Sequence, residues 1–167
     1  MSTASTPGGG YDPTVQASPF DKVAYLFALV GLYVTTAGLF FYGFWHKAVD
    51  GDFEIPPPLE EQFDRTFIGT VPGAEASWVV IIILEGLVFL LLVASLVTTE
   101  FRPSRRKPFL LTSLAMALLV FALLSFGQNA TAQHESVATL YGYFASTLII
   151  ILFVRTLPPY TSNRWLA

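Results

Sequence analysis

With 167 residues there is material for one compact unit, but 53% of them are apolar and only 13% charged. Charge is about half as frequent as in soluble globular chains, and the mean hydropathy is +0.58, which places the chain among integral membrane proteins. The absence of cysteine excludes disulfides, thiol catalysis and cysteine-ligated metal, and the absence of a basic face interleaved with aromatics argues against nucleic-acid binding.

Residues 1–20 are rich in Ser, Thr, Gly and Pro and read as a flexible N-terminal tail that would need a partner's surface to become ordered. They have no basic stretch leading an apolar one, so no cleavable signal peptide is expected. A first apolar run extends over about 23–45, long enough to cross a hydrocarbon layer of roughly 30 Å at about 1.5 Å per residue. Trp45, His46 and Lys47 mark its far end, where ring and aliphatic stem suit the headgroup layer. Within the run, Ala24, Ala28, Gly31, Thr35 and Gly38 form a stripe of small residues and predict a close helix contact.

The loop 48–76 is acidic and holds three consecutive prolines, Pro56, Pro57 and Pro58, which favour an extended segment. After them Leu59, Phe63 and Phe67 recur at helical spacing opposite Glu60, Glu61, Asp64 and Arg65, so a short amphipathic surface helix is expected over 59–68. Pro72 and Gly73 then turn the chain. The loop is either simply solvated or attracts a basic soluble partner.

Three more spans follow at about 77–97, 109–126 and 137–154, and Pro158 and Pro159 open a C-terminal tail over 158–167. The expected fold is therefore all-α: an integral membrane four-helix bundle over 21–157. Short connections make the second, third and fourth spans antiparallel neighbours. Seven basic residues (Lys22, Arg102, Arg105, Arg106, Lys107, Arg155, Arg164) share one side, against Lys47 and Arg65 on the other. The positive-inside rule then puts both termini in the cytoplasm of a multi-pass cell-membrane protein. Asn129-Ala130-Thr131 matches the glycosylation triplet but reads as an ordinary loop.

Glu85 stands about eight residues inside the second span, roughly 12 Å from its end. A charge near the bilayer centre costs about 2.5–3.5 kcal/mol, so the side chain must face the bundle, be protonated or find a partner. One reading makes it a proton relay or a hydrogen-bond partner for a quinone-like headgroup. The plainer reading makes it a protonated structural acid bonded to Thr35, Thr36 or Tyr143. His46 and Lys47, walled by Tyr42 and Trp45, are either a meeting point for a quinone or anionic lipid or an interfacial anchor. No metal or haem is expected, because His46 and His134 lack ligand spacing.

Two segments carry a family resemblance. In AGLFFYGFWHKAVDG a glycine, Gly43, precedes Lys47; in ILEGLVFLLLVASL, Glu85-Gly86 opens a leucine-rich stretch. In these segments, and in size and layout over about 30–155, the chain resembles the DoxX/DoxD family of small four-helix membrane proteins. It departs from that pattern at Leu87, where a second glycine is usual, and in its long proline-rich loop. The resemblance implies membrane redox work linked to quinone, with Lys47 and Glu85 at the matching positions.

No nucleophile–base pair, phosphate-cradling loop or carboxylate cluster equips the chain as a stand-alone enzyme. The sequence therefore favours a non-catalytic accessory subunit of a respiratory or photosynthetic electron-transport complex, held by other membrane subunits and lipids and lining a quinone or lipid site. The alternative is a quinone-linked oxidoreductase component of the DoxX type. Transport ranks third, since one midplane charge and no broken helix offer little pathway.

Overall fold

A computed structural model describes residues 19–67, 74–102 and 105–156. Among them are five helices and no strand: α1 (Pro19–Ala48), α2 (Pro57–Asp64), α3 (Ala74–Val97), α4 (Pro108–Ala130) and α5 (His134–Thr156). Four of these, all but α2, are long and apolar enough to cross a membrane. Each expected span is present as a helix, and all are longer than expected by one to four residues at one or both ends, with the second ending at Val97 as expected. The tail 1–18, the Pro72–Gly73 turn and the tail after Thr156 lie outside the described residues.

Neighbours in space follow the chain: α1 packs on α3, α3 on α4, and α4 on α5. The core is the seam where they meet. Leu32 and Phe40 from α1, Val88 and Leu92 from α3, Leu114, Val120 and Phe121 from α4 and Val154 from α5 form one buried cluster. Phe121 ties three helices together, its ring 5.4 Å from Phe40 and 5.7 Å from Tyr143. Buried hydroxyls find partners in the seam: Tyr33 Oη and Ser95 Oγ lie 2.5 Å apart, and Ser113 Oγ donates to the Val88 carbonyl at 2.9 Å. In an apolar interior such bonds remove polar groups that would otherwise cost about 1–3 kcal/mol each.

Two expectations about α1 and the loop need correction. The small stripe makes no close contact among the described residues: Ala24, Ala28, Gly31 and Thr35 are exposed, and a Cβ at Gly31 or Gly38 would meet none of them within 4 Å. The opposite face of α1, through Tyr25, Leu29, Leu32, Tyr33 and Phe40, carries the packing. The prolines are not all extended either. Pro56 is (φ −57°, ψ 134°), but Pro57 and Pro58 form the first turn of α2. A first-turn residue has no intrahelical partner for its N–H, so proline loses nothing there. The helix consequently starts earlier and stops earlier than expected, leaving Phe67 beyond its end, where the ring lies 6.4 Å from Phe126 of α4. Its polarity is as expected, with Glu60, Glu61 and Asp64 exposed and Leu59 and Phe63 half-buried. Asn129 also belongs to a helix and not a loop: it is in the last turn of α4, its Nδ2 donating to the Ser125 carbonyl at 3.0 Å.

Candidate functional site: a lysine–glutamate pair between α1 and α3

Glu85 sits in the middle of α3 and is only 4% exposed. Its buried neighbours along the helix, Trp78, Ile82, Val88 and Leu92, recur every three or four residues and define the face that α3 turns inward. The bundle thus resolves the cost of a midspan acid by enclosing it, and supplies a partner from the next helix. Lys47 Nζ donates to Glu85 Oε1, forming an ion pair that joins the last turn of α1 to the centre of α3. The hydroxyl partners considered from sequence (Thr35, Thr36, Tyr143) are replaced by a charge.

The geometry of a helix explains how a residue at the end of α1 reaches so far. Side chains lean toward the N-terminus of their own helix, so the stem of Lys47 runs back along α1 and not outward past its end. One turn back is Gly43, and the carboxylate occupies the space a side chain there would need. A Cβ on Gly43 would stand 3.3 Å from Glu85 Oε2 and 3.5 Å from Oε1. Gly86 performs the reciprocal service for α1, since a Cβ there would stand 3.0 Å from the Phe44 ring. The Trp78 ring, two turns before Glu85 on the same face of α3, lies 5.4 Å from the Lys47 ammonium, close enough for cation–π attraction. Its Nε1 donates to the Glu54 carbonyl at 3.0 Å. Trp78, Ile82 and Ala48 pack with Phe44, Ile55 and Leu59, so the chain after α1 and the start of α2 cover the pair from that end of the bundle. This cover is tightly wound: Asp52 and Phe53 adopt left-handed backbone (φ 47° and 64°), and a Cβ on Gly51 would stand 3.1 Å from the carbonyls of His46 and Lys47.

The pair is not saturated. Glu85 Oε2 is buried without a hydrogen-bond partner among the described residues. Lys47 spends one of its three donors on Oε1, and its side chain remains 22% exposed. A spare acceptor and spare donors at one point, in an apolar wall, suit a small polar headgroup that carries both a hydroxyl and a carbonyl or phosphate oxygen.

Of the other residues singled out from sequence, His46 parts from Lys47. Its Nδ1 lies 2.6 Å from Asp50 Oδ2 at the exposed end of α1, and its ring stacks on Tyr42 at 6.3 Å. Tyr42 and Trp45 are exposed, and Phe41 bridges them with ring distances of 5.4 and 5.7 Å. Tyr42, Trp45 and His46 therefore form an outward aromatic collar beside the pair and do not wall it. Sequence reasoning missed Trp78 and Asp50. The signal for Trp78 was its spacing of seven from Glu85, which puts both on one helical face. Among the described residues no group of three or more His, Asp or Glu could hold a metal ion. Comparison of the chain with protein families, with curated proteins and with solved structures finds no match.

Proposed function

We propose that this chain is an accessory subunit of a larger electron-transport complex in the cell membrane, with both termini cytoplasmic. It stabilises the assembly and lines a site for a quinone or lipid headgroup at the Lys47–Glu85 pair. The observation that carries the reading is the unsaturated pair: a buried midhelix acid, its lysine and a carboxylate oxygen without a partner among the described residues. Such a site suits binding and orienting a headgroup, and among the described residues no second acid or nucleophile pairs with it. The exposed rings of Tyr42 and Trp45 suit the headgroup layer beside the pair, and the basic asymmetry favours the stated orientation.

A second reading is supported by one further observation. Gly43, Lys47, Glu85 and Gly86 are the positions on which the DoxX/DoxD resemblance rests, and they meet at one place. On that reading the pair handles quinone directly, and Glu85 exchanges the proton that accompanies quinone reduction or oxidation.

Gentle extraction of the native protein, with mass spectrometry of what co-migrates, tests the first reading. Redox subunits bearing haem or iron are expected; a lone small oligomer carrying quinone would replace it with the second. Glu85→Gln separates the two further. It keeps a hydrogen-bond acceptor for Lys47, so assembly persists under both readings, but quinone-linked turnover is lost only if Glu85 moves protons.

A further inference from the structure

A second cluster of charge lies at the opposite end of the bundle, in the turn between α3 and α4. Four basic residues fall within it, Arg102, Arg105, Arg106 and Lys107, and they do not behave alike. Lys107 is 0% exposed, and its ammonium is turned inward to donate to the carbonyls of Arg102 at 3.2 Å and Arg105 at 3.0 Å. Burial pushes it below the usual lysine range, and nearby Glu100 opposes that shift. Glu100 is itself buried and accepts from the Phe109 and Leu110 amides at 3.1 and 2.9 Å, closing the start of α4. Tyr25 of α1 donates to the Phe101 carbonyl at 3.1 Å, so a third helix holds the same turn.

The result is a braced support for the three arginines. All are exposed, and among the described residues none has an ion pair with a carboxylate. The one acid in the turn is committed to backbone amides. At the ends of the two helices that the turn joins, Leu96, Val97 and Phe109 present exposed apolar surface. Exposed guanidinium groups in the turn, next in sequence to exposed apolar helix ends, match a phosphate with acyl chains attached, because a guanidinium takes phosphate oxygens through two parallel bonds.

We propose that the α3–α4 turn is a binding site for an anionic phospholipid, with Arg102, Arg105 and Arg106 holding the phosphate, Leu96, Val97 and Phe109 lining the chains, and Lys107 bracing the turn from within. The site is independent of the headgroup site at Lys47–Glu85. Its lipid chemistry distinguishes it from a simple patch for dissolved anions, which would need no apolar wall.

Native mass spectrometry of the purified full chain in neutral detergent tests this, with phosphatidylglycerol and phosphatidylcholine of identical chains offered in competition. The expected result is a preference of about tenfold or more for phosphatidylglycerol, since each basic residue at a membrane surface contributes measurably to anionic lipid attraction. The combined change Arg102→Gln, Arg105→Gln and Arg106→Gln should abolish it. Lys107→Met, with helix content verified by circular dichroism, retains all three arginines and should still lower the preference several-fold. Equal binding of the two lipids by the unaltered chain, or an unchanged preference in the triple variant, would overturn the site. Displacement of the lipid by millimolar inorganic phosphate would make it an anion patch and overturn its lipid character. A folded Lys107→Met chain with undiminished preference would remove the bracing role.

Discussion

The bundle buries two glutamates, each with a lysine nearby, and uses the two sites differently. At the α3–α4 turn, both Glu100 oxygens accept backbone amides and the Lys107 ammonium is satisfied by backbone carbonyls. The charges there serve the chain's own architecture. At the other site, Lys47 and Glu85 join two helices by side chains alone and leave Oε2 without a donor. A fully used pair fixes structure, whereas a partly used one retains capacity for something else. Polar groups left unpaired in a buried setting cost about 1–3 kcal/mol, so their persistence is an argument for function at Lys47–Glu85 and for structure at Glu100–Lys107.

Breaking each pair should expose this contrast. The largest effect is expected for Lys47→Ala, which strands a buried carboxylate. The loss should be about 3 kcal/mol, the lower end of the range for buried pairs because the lysine is partly exposed. Thermal unfolding in detergent would report it. Changing both partners, Lys47→Met with Glu85→Leu, should recover most of the loss, since a well-packed apolar pair often replaces a buried ion pair at little cost. If the double variant is as unstable as the single one, the pair is structural in the manner of the turn, and the contrast between the two sites fails.

Glu100→Ala comes next. It leaves the Phe109 and Leu110 amides without an acceptor and deprives Lys107 of a nearby negative charge. About 2 kcal/mol should be lost, in the range of a strong helix cap. Glu100→Gln should lose less, because its single amide oxygen can still accept. Glycine at the helix contact gives a smaller effect: Gly86→Ala would push a methyl to 3.0 Å from the Phe44 ring, and overpacking of this kind costs about 1–3 kcal/mol. The ring can rotate away in part, so the lower value is expected, read as a lowered unfolding temperature.

These differences were unequally legible in the sequence. Four spans and their order follow from run length and hydropathy, and the structure has them. Glu85 stood out because it is alone in an apolar stretch. Its partner did not, because α3 is apolar on every side and its pattern says nothing about which face is inward. Lys47 resembled an anchor whose stem snorkels outward, and only the lean of helical side chains toward the N-terminus turns it inward. Glu100 and Lys107 were hidden for another reason. They stand in a run of charges that a count treats as interchangeable, and the chain enters that run through a left-handed backbone at Thr99 (φ 59°), which no proline or glycine announces. The small stripe on α1 was visible as a pattern, but spacing alone cannot say whether its partner is in the same chain.

That stripe supplies the smallest effect and a control for the comparison. A Cβ at Gly31 meets none of the described residues within 4 Å, so Gly31→Ala meets no clash there and gains the lower unfolded-chain entropy of alanine. The isolated chain should be more stable by about 0.5–1 kcal/mol, opposite in sign to Gly86→Ala on the packed face of α3. A bulkier change, Gly31→Leu, should still leave the isolated chain folded. Loss of co-purifying subunits with Gly31→Leu but not with Gly31→Ala would assign the outward face of α1 to assembly. Destabilisation by Gly31→Ala in the isolated chain would instead place α1 against another helix of its own bundle, with the packed and open faces of α1 exchanged.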